Sequence, residues 1–186
     1  TESNDMKRNQ DGGKDGWEPE EYLNIWVCNL AVSPSGGMTL GYSYLPGSVA
    51  WQMWKDGLVV DFQFFGTVGA ASGGGNDGST TTHEIGHYFS LFHTHSSSLG
   101  DELVNGSNCN SAGDTFCDTP ADPTLSSSSV TSSCIYIGNE QDSNGDFYDP
   151  DVNNFMSYSR KSCRDFFSND QLNQIAAYFV NYRNYL

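Results

Sequence analysis

The densest chemistry in the chain lies between His83 and His93, a stretch reading H-E-I-G-H-Y-F-S-L-F-H. Residues four apart on a helix share a face, so His83 and His87 can chelate one ion. Imidazole nitrogens suit zinc, and a catalytic zinc keeps three protein ligands and one open position for water. Glu84 stands beside such a metal instead of on it, where its carboxylate can take a proton from a water that the metal has acidified. His93 is too far along a continuous helix to reach the same ion, so the helix must end near Ser90 and the chain must turn back. The bland readings are that H-E-x-x-H recurs by chance, that Glu84 caps a helix as the partner of Thr81, and that His87 packs in a core. The third histidine at that interval weighs against all three. His95 fits no ligand pattern and reads as a surface residue or a neighbour of the ligands.

A second signal lies downstream, where Asn154-Phe155-Met156-Ser157-Tyr158 places a methionine in a tight turn with a tyrosine two residues on. Alone, Met156 would read as an ordinary core residue. The elements that must position these groups follow from patterning. Residues 22–30, 39–45 and 58–65 are rich in β-branched and aromatic side chains and read as strands, with a turn at 34–37 and Pro46-Gly47 closing the second. A glycine-rich loop at 69–78 empties into a helix that begins near Ser79. Residues 96–154 read as one long irregular segment, which in a compact domain points to function, bound ions or disulfides. Ser168 and Gln171 form a capping box for a last helix, with Leu172, Ile175, Ala176 and Phe179 on one face. Residues 1–21 are polar and read as a loosely held arm.

Composition narrows the classes. The 186 residues carry a formal net charge of −15, so nucleic acid and anionic membrane are poor partners. No apolar run approaches the roughly 18 residues of a membrane span. The chain has no Met start and no signal-type apolar run, so it is expected to be a processed product. Cys109, Cys117, Cys134 and Cys163 fall among Ser-, Gly- and Asn-rich loops and suit two disulfides, while Cys28 sits in a strand-like run as a buried free thiol. That pattern predicts secretion. A cysteine-held zinc would need a C-x-x-C pair, and none is present.

The zinc motif and the methionine turn together form the metzincin signature. The stretches YLNIWVCNL, LGYSYLPG, DGLVVDFQFFG, TTTHEIGHYFSLFHTH, GDTFCDTPADP, NFMSYSRKSC and FFSNDQ are similar to the pappalysin-type metzincins, short microbial members included. The resemblance implies an α+β, two-lobed zinc protease formed by residues 1–186 as one catalytic domain. In it a polar arm (1–16) precedes an upper lobe (17–93) of mixed twisted β-sheet carrying the active-site helix. An irregular lower lobe (94–186) holds the Met-turn and the C-terminal helix. It further implies a secreted, zinc-dependent metalloendopeptidase in which His83, His87 and His93 hold zinc and Glu84 is the general base. Tyr158 would donate to the oxyanion, and Met156 would floor the metal. An extended peptide substrate would pair with an edge strand formed by Thr39, Leu40, Gly41, Tyr42, Ser43 and Tyr44. The D-T-P segment is similar to a calcium site, with Asp114, Cys117 and Thr119 as ligands. Asp118 would contribute or stiffen the turn, and the donors of Asp142 to Asp146 form a weaker second candidate. Cys163 would pair with Cys117 or Cys134, and Cys109 with the other. An inhibitory pro-segment and a monomeric state complete the expectation.

Two alternatives compete with this reading. An astacin-like branch would place glutamate after His93, where Thr94 stands. A zinc- and calcium-stabilised binding module of the same fold, catalytically weak, would be favoured by loss of the base, yet Glu84 and Tyr158 are present. Three departures from the family pattern stand out. Ser90 replaces a glycine where the chain leaves the helix, and a strand and long helix that precede the matched region in relatives have no counterpart here. Arg160 and Lys161 occupy a place that is acidic in relatives cutting before arginine. The hypothesis that follows is that this basic S1′ wall shifts preference towards neutral or acidic P1′ residues. Cleavage-site profiling on a peptide library tests it, and dominant arginine at P1′ would sink it.

Overall fold

Among the described residues the sheet has three short strands, β1 (Ile25–Cys28), β2 (Gly41–Ser43) and β3 (Leu58–Asp61), in the spatial order β1-β3-β2. The structure is a computed structural model describing residues 2–30, 38–71, 77–184 and 186. β3 is the central strand and all four of its residues are buried, as its near-continuous apolar run requires. It pairs in parallel with β1 (Ile25 opposite Leu58) and antiparallel with β2 (Gly41 opposite Val60). All three strands are shorter than the sequence pattern suggests. At the end of β3, the Asp61 carboxylate accepts the N–H groups of Leu30 and Gln63. These bonds turn the chain out of the sheet, and Phe62 and Phe65 are left exposed. The turn expected at 34–37 and the centre of the glycine-rich loop, 72–76, lie outside the described residues.

Helix α1 (Ser79–Tyr88) packs on β2 and β3. It starts beyond Gly78, which has a left-handed φ of 82°, and the Asp77 carboxylate accepts the Ser79 N–H. The Thr81 hydroxyl donates to the Phe65 carbonyl, so Thr81 and Glu84 do not form a capping box. Helix α2 (Asn169–Tyr182) opens with the expected box: Ser168 N–H donates to Gln171 Oε1 at 3.0 Å, and Gln171 N–H donates to Ser168 Oγ at 3.2 Å. Its apolar stripe is a correction. Leu172 and Phe179 are exposed, whereas the buried residue of this helix is Gln171. The inward position in the first turn is taken by a hydrogen-bonding anchor.

The chain divides into two units, residues 1–90 with 176–186, and residues 91–175. In the first, the expected loose arm is instead anchored. Asn4 and Lys7 are buried, the Asn4 amide pairs with the Tyr44 hydroxyl, and the Trp26 indole donates to the Lys14 carbonyl. The same unit contains a buried ion pair, Arg183 with Asp56, at 2.6 and 3.0 Å. The guanidinium also lies 3.5 Å from the ring centre of Tyr88, the last residue of α1.

The second unit has little regular structure. Leu125, Val130, Val152 and Cys163 form its apolar cluster, with Cys134 and Tyr136 packed against it. Disulfides Cys109–Cys117 and Cys134–Cys163 close short and long loops. The second is one of the two pairings left open for Cys163. Cys28 is free, and it is half-buried where full burial was expected.

Removing one partner of a buried ion pair strands the other charge and costs about 3–5 kcal/mol. Arg183→Met should therefore lower the free energy of unfolding by about that amount, measured by denaturant titration. A change under about 1 kcal/mol would show that solvent already reaches the pair.

Candidate metal centre

Three imidazoles converge. His83, His87 and His93 each offer a ligand atom, and these atoms lie within 4.8 Å of one another, the spacing a single ion can bridge. No other group of three or more His, Cys, Asp or Glu side chains converges in this way among the described residues. The first two come from successive turns of α1, and their rings stand edge to face, 4.8 Å apart. The third is delivered by a reversal of the chain. Phe89 N–H bonds back to Ile85 and Gly86, Ser90 N–H bonds to the His87 carbonyl, and Ser90 takes a left-handed φ of 73°. A left-handed position of this kind usually holds glycine, and beyond it Leu91 is buried.

Glu84 is buried, and its Oε2 has no hydrogen-bond partner. Three converging imidazoles, with an orphaned carboxylate oxygen on the residue that follows the first of them, fit a zinc site that also contains a water, so the donor set present fits the metal. Burial raises the Glu84 carboxyl to about 8, opposed by a hydrogen bond from the Ser43 backbone. Glu84 also backs closely onto β2, since a Cβ at Gly41 would sit 3.1 Å from Glu84 Cγ. That spacing is what glycine permits at this position.

Beyond His93, Thr94 N–H donates to the Met156 carbonyl, and its hydroxyl donates to Asp122 at 2.7 Å. Met156 is fully buried in a turn shaped by Asn154, whose side-chain oxygen accepts the Met156 N–H. The Asn154 amide reaches Gln171 Oε1, tying the turn to the capping box of α2. His95 stacks on His93 with centroids 4.8 Å apart and planes 8° apart. The exposed Tyr158 ring lies 4.6 Å from His93 and 4.4 Å from His95. Sequence reasoning missed Thr94, Asp122 and Asn154; of the two readings it gave His95, surface residue or neighbour of the ligands, the stacking on His93 fits the second. An Asn opening a tight turn was the one available signal, because its side chain bonds the backbone two residues on.

The other candidate residues fare variously. Thr119 Oγ1 donates to Asp114 at 2.8 Å, and Cys117 is bonded to Cys109. Asp118 accepts from the Ser168 hydroxyl and the Asp170 N–H, capping α2, where a carboxylate meets the positive end of the helix. Asp142 accepts the N–H groups of Val104, Asn144 and Asp146, so the 142–146 stretch is a backbone-bonded turn. A residue absent from the sequence-based set, Glu102, is buried with Oε2 unpartnered, and burial together with the charge of Asp114 raises it to about 7. Arg160 donates its Nε to the Val130 carbonyl. Gly41, Tyr42 and Ser43 form β2, on the edge of the sheet, and Thr39 and Leu40 precede it.

This combination of mixed sheet, zinc-type helix and buried methionine turn is the α+β fold of the metzincin metalloproteases. The chain belongs to the peptidase M43 family, whose model, described as pregnancy-associated plasma protein-A, matches residues 6–180. It is 34% identical over 160 residues to an extracellular metalloprotease of Podospora anserina, covering 83% of this chain and 47% of that one. A Colletotrichum graminicola extracellular metalloprotease is 33% identical, with 84% and 50% covered. Among solved structures, mature mirolysin of Tannerella forsythia in complex with a cleaved peptide aligns with a TM-score of 0.72 at 26% identity, over 96% of this chain and 60% of that one. Mirolysin with a bound compound gives 0.75 at 27% identity, over 100% and 63%. The chain thus spans about half the length of the curated relatives it matches.

A non-glycine residue at positive φ is strained by about 1 kcal/mol. Ser90→Gly should relieve that strain and raise stability by about that amount, with zinc content unchanged. Equilibrium unfolding together with metal analysis checks both parts, and a destabilised variant would show that the serine side chain holds the reversal.

Proposed function

We propose that this chain is the catalytic part of a secreted, zinc-dependent metalloendopeptidase that cuts internal peptide bonds of proteins. The observation that carries the reading is the convergence of His83, His87 and His93, with the orphaned oxygen of Glu84 on the same helix. Zinc held by the three imidazoles would polarise the scissile carbonyl and acidify a water. Glu84 would take a proton from a water as the water oxygen adds to the carbonyl carbon, and would hand that proton to the amine nitrogen as the C–N bond breaks. Tyr158, exposed beside His93, donates its hydroxyl to the oxygen that gains charge. The edge position of β2 supports its pairing with an extended substrate through main-chain hydrogen bonds.

Secretion is supported by the relatives named extracellular and by the two disulfides. A pro-segment that blocks the site is supported by the likeness to promirolysin, matched with a TM-score of 0.73 at 25% identity. A calcium ion at the Asp114 loop is the further proposal. Its support is the pair of buried carboxylates, Asp114 and Glu102, the second with an unpaired oxygen. Arg160 and Lys161 remain the proposed basic wall at P1′.

Casein proteolysis by the wild type, by Glu84→Gln and by chelator-treated wild type, with bound zinc quantified in each, tests the assignment. Removing a general base costs about 10²–10⁴-fold, so Glu84→Gln should retain zinc and lose that much activity. Chelation should abolish cleavage, and zinc should restore it. A wild type that holds zinc but cuts nothing across a broad peptide library would transfer the fold to the binding-module reading.

A further inference from the structure

The geometry points to Lys7 as a positioning residue of the active site: its ammonium, enclosed by Trp26, Tyr42 and Tyr44, holds the edge strand β2 in the register that serves Glu84 and substrate. The inference rests on the proposed roles of Glu84 and β2.

Alternation along β2 gives its two faces different duties. Gly41 and Ser43 lie on the Glu84 side, where the Ser43 backbone hydrogen bonds to Glu84 and Gly41 leaves room for it. On the other side, Lys7 Nζ stands 4.7 Å from the Trp26 ring centre, 5.4 Å from that of Tyr42 and 5.2 Å from that of Tyr44. The ammonium donates to the Lys55 carbonyl at 2.5 Å, and the side chain is 1% exposed. Neighbouring contacts strengthen the clamp. Asn4 exchanges hydrogen bonds with the Tyr44 hydroxyl at 2.9 and 3.2 Å, and the Tyr42 hydroxyl donates to Met6 Sδ.

A strand of three residues with one neighbour among the described residues has little of its own to hold register, so an anchor outside the ladder must supply it. A buried ammonium is a costly anchor, because desolvation works against the charge, and this is the main reason Lys7 is lowered to about 8. A methionine would fill the same space without that cost. What the ammonium adds is direction: one hydrogen bond and three aromatic faces can be satisfied together only with both tyrosines in place. The Asp56 charge that favours the protonated lysine belongs to the carboxylate paired with Arg183, which lies on Tyr88 of α1. One polar chain therefore runs from the arm to the helix bearing His87.

Lys7→Met and Asn4→Ala, made in the whole chain with zinc added, test the role by amide hydrogen exchange. Exchange in the peptide spanning 40–45 should speed by about tenfold or more relative to the peptide spanning 79–88. Uniform acceleration of both peptides, or no change in either, would overturn the inference and leave Lys7 a merely structural residue. If Lys7→Met does not fold, Asn4→Ala decides by the same comparison, since it keeps the ammonium and removes only the bonds to Tyr44. On an extended peptide that the wild type cleaves, kcat/KM of the variants should fall about tenfold, as misplacement at a reacting centre does. Leu125→Ala, which weakens the other unit's core, serves as the control and should stay within about twofold. Equal losses in the variants and the control would also overturn it. A wild type that cleaves nothing would count against the proposed function alone, and the exchange comparison would still decide for or against Lys7.

Discussion

Everything at the metal centre depends on a reversal of the chain within four residues. An α-helix brings two imidazoles to one face, but a third on the same helix ten residues on would be carried about 15 Å along the axis. The helix must therefore stop, and it stops at Phe89, where the backbone is no longer helical. Ser90 then takes a left-handed conformation that a side chain resists, and Leu91 is buried beyond it. The bond from Thr94 N–H to the Met156 carbonyl fixes the outgoing chain. Met156 thus acts through its backbone as well as its bulk: its side chain fills the interior while its carbonyl holds the segment that carries His93.

The helix that carries the other two histidines is secured from its C-terminal end. Tyr88 is buried, and the guanidinium of Arg183 lies across its ring while bonding bidentately to Asp56. A planar guanidinium can stack on an aromatic face while bonding a carboxylate through two N–H groups. The charges cost desolvation, but they connect three segments distant in sequence with a directionality that apolar contact lacks. Lys7 in its aromatic box follows the same logic on the opposite face of β2.

Residues 91–175 solve a different problem, that of holding an irregular chain without ladders. Their apolar cluster is small, so order comes from two disulfides and from side-chain caps on backbone groups. Asp118 caps α2, Asp142 gathers three N–H groups, and Asn154 shapes the methionine turn. Carboxylates suit this task because they are strong acceptors for stranded backbone donors.

The sequence alone determined what local spacing governs. The H-E-x-x-H face, the Ser168–Gln171 box and the apolar run of β3 are consequences of neighbours within about four residues, where helix and strand periodicity act. Tertiary structure decided what depends on partners far along the chain. Nothing near Lys7 announces that a polar arm will be buried, because its three rings and its carbonyl acceptor lie 19 to 48 residues away. Nor does local pattern reveal that Gln171 would face inward in place of Leu172, since the Asn154 amide that satisfies it belongs to another loop. Cys163 had two partners compatible with its position, and only the packing of Cys134 against the Leu125 cluster selects one. A buried polar group is defined by its partner, and partners at long sequence separation are chosen by the fold.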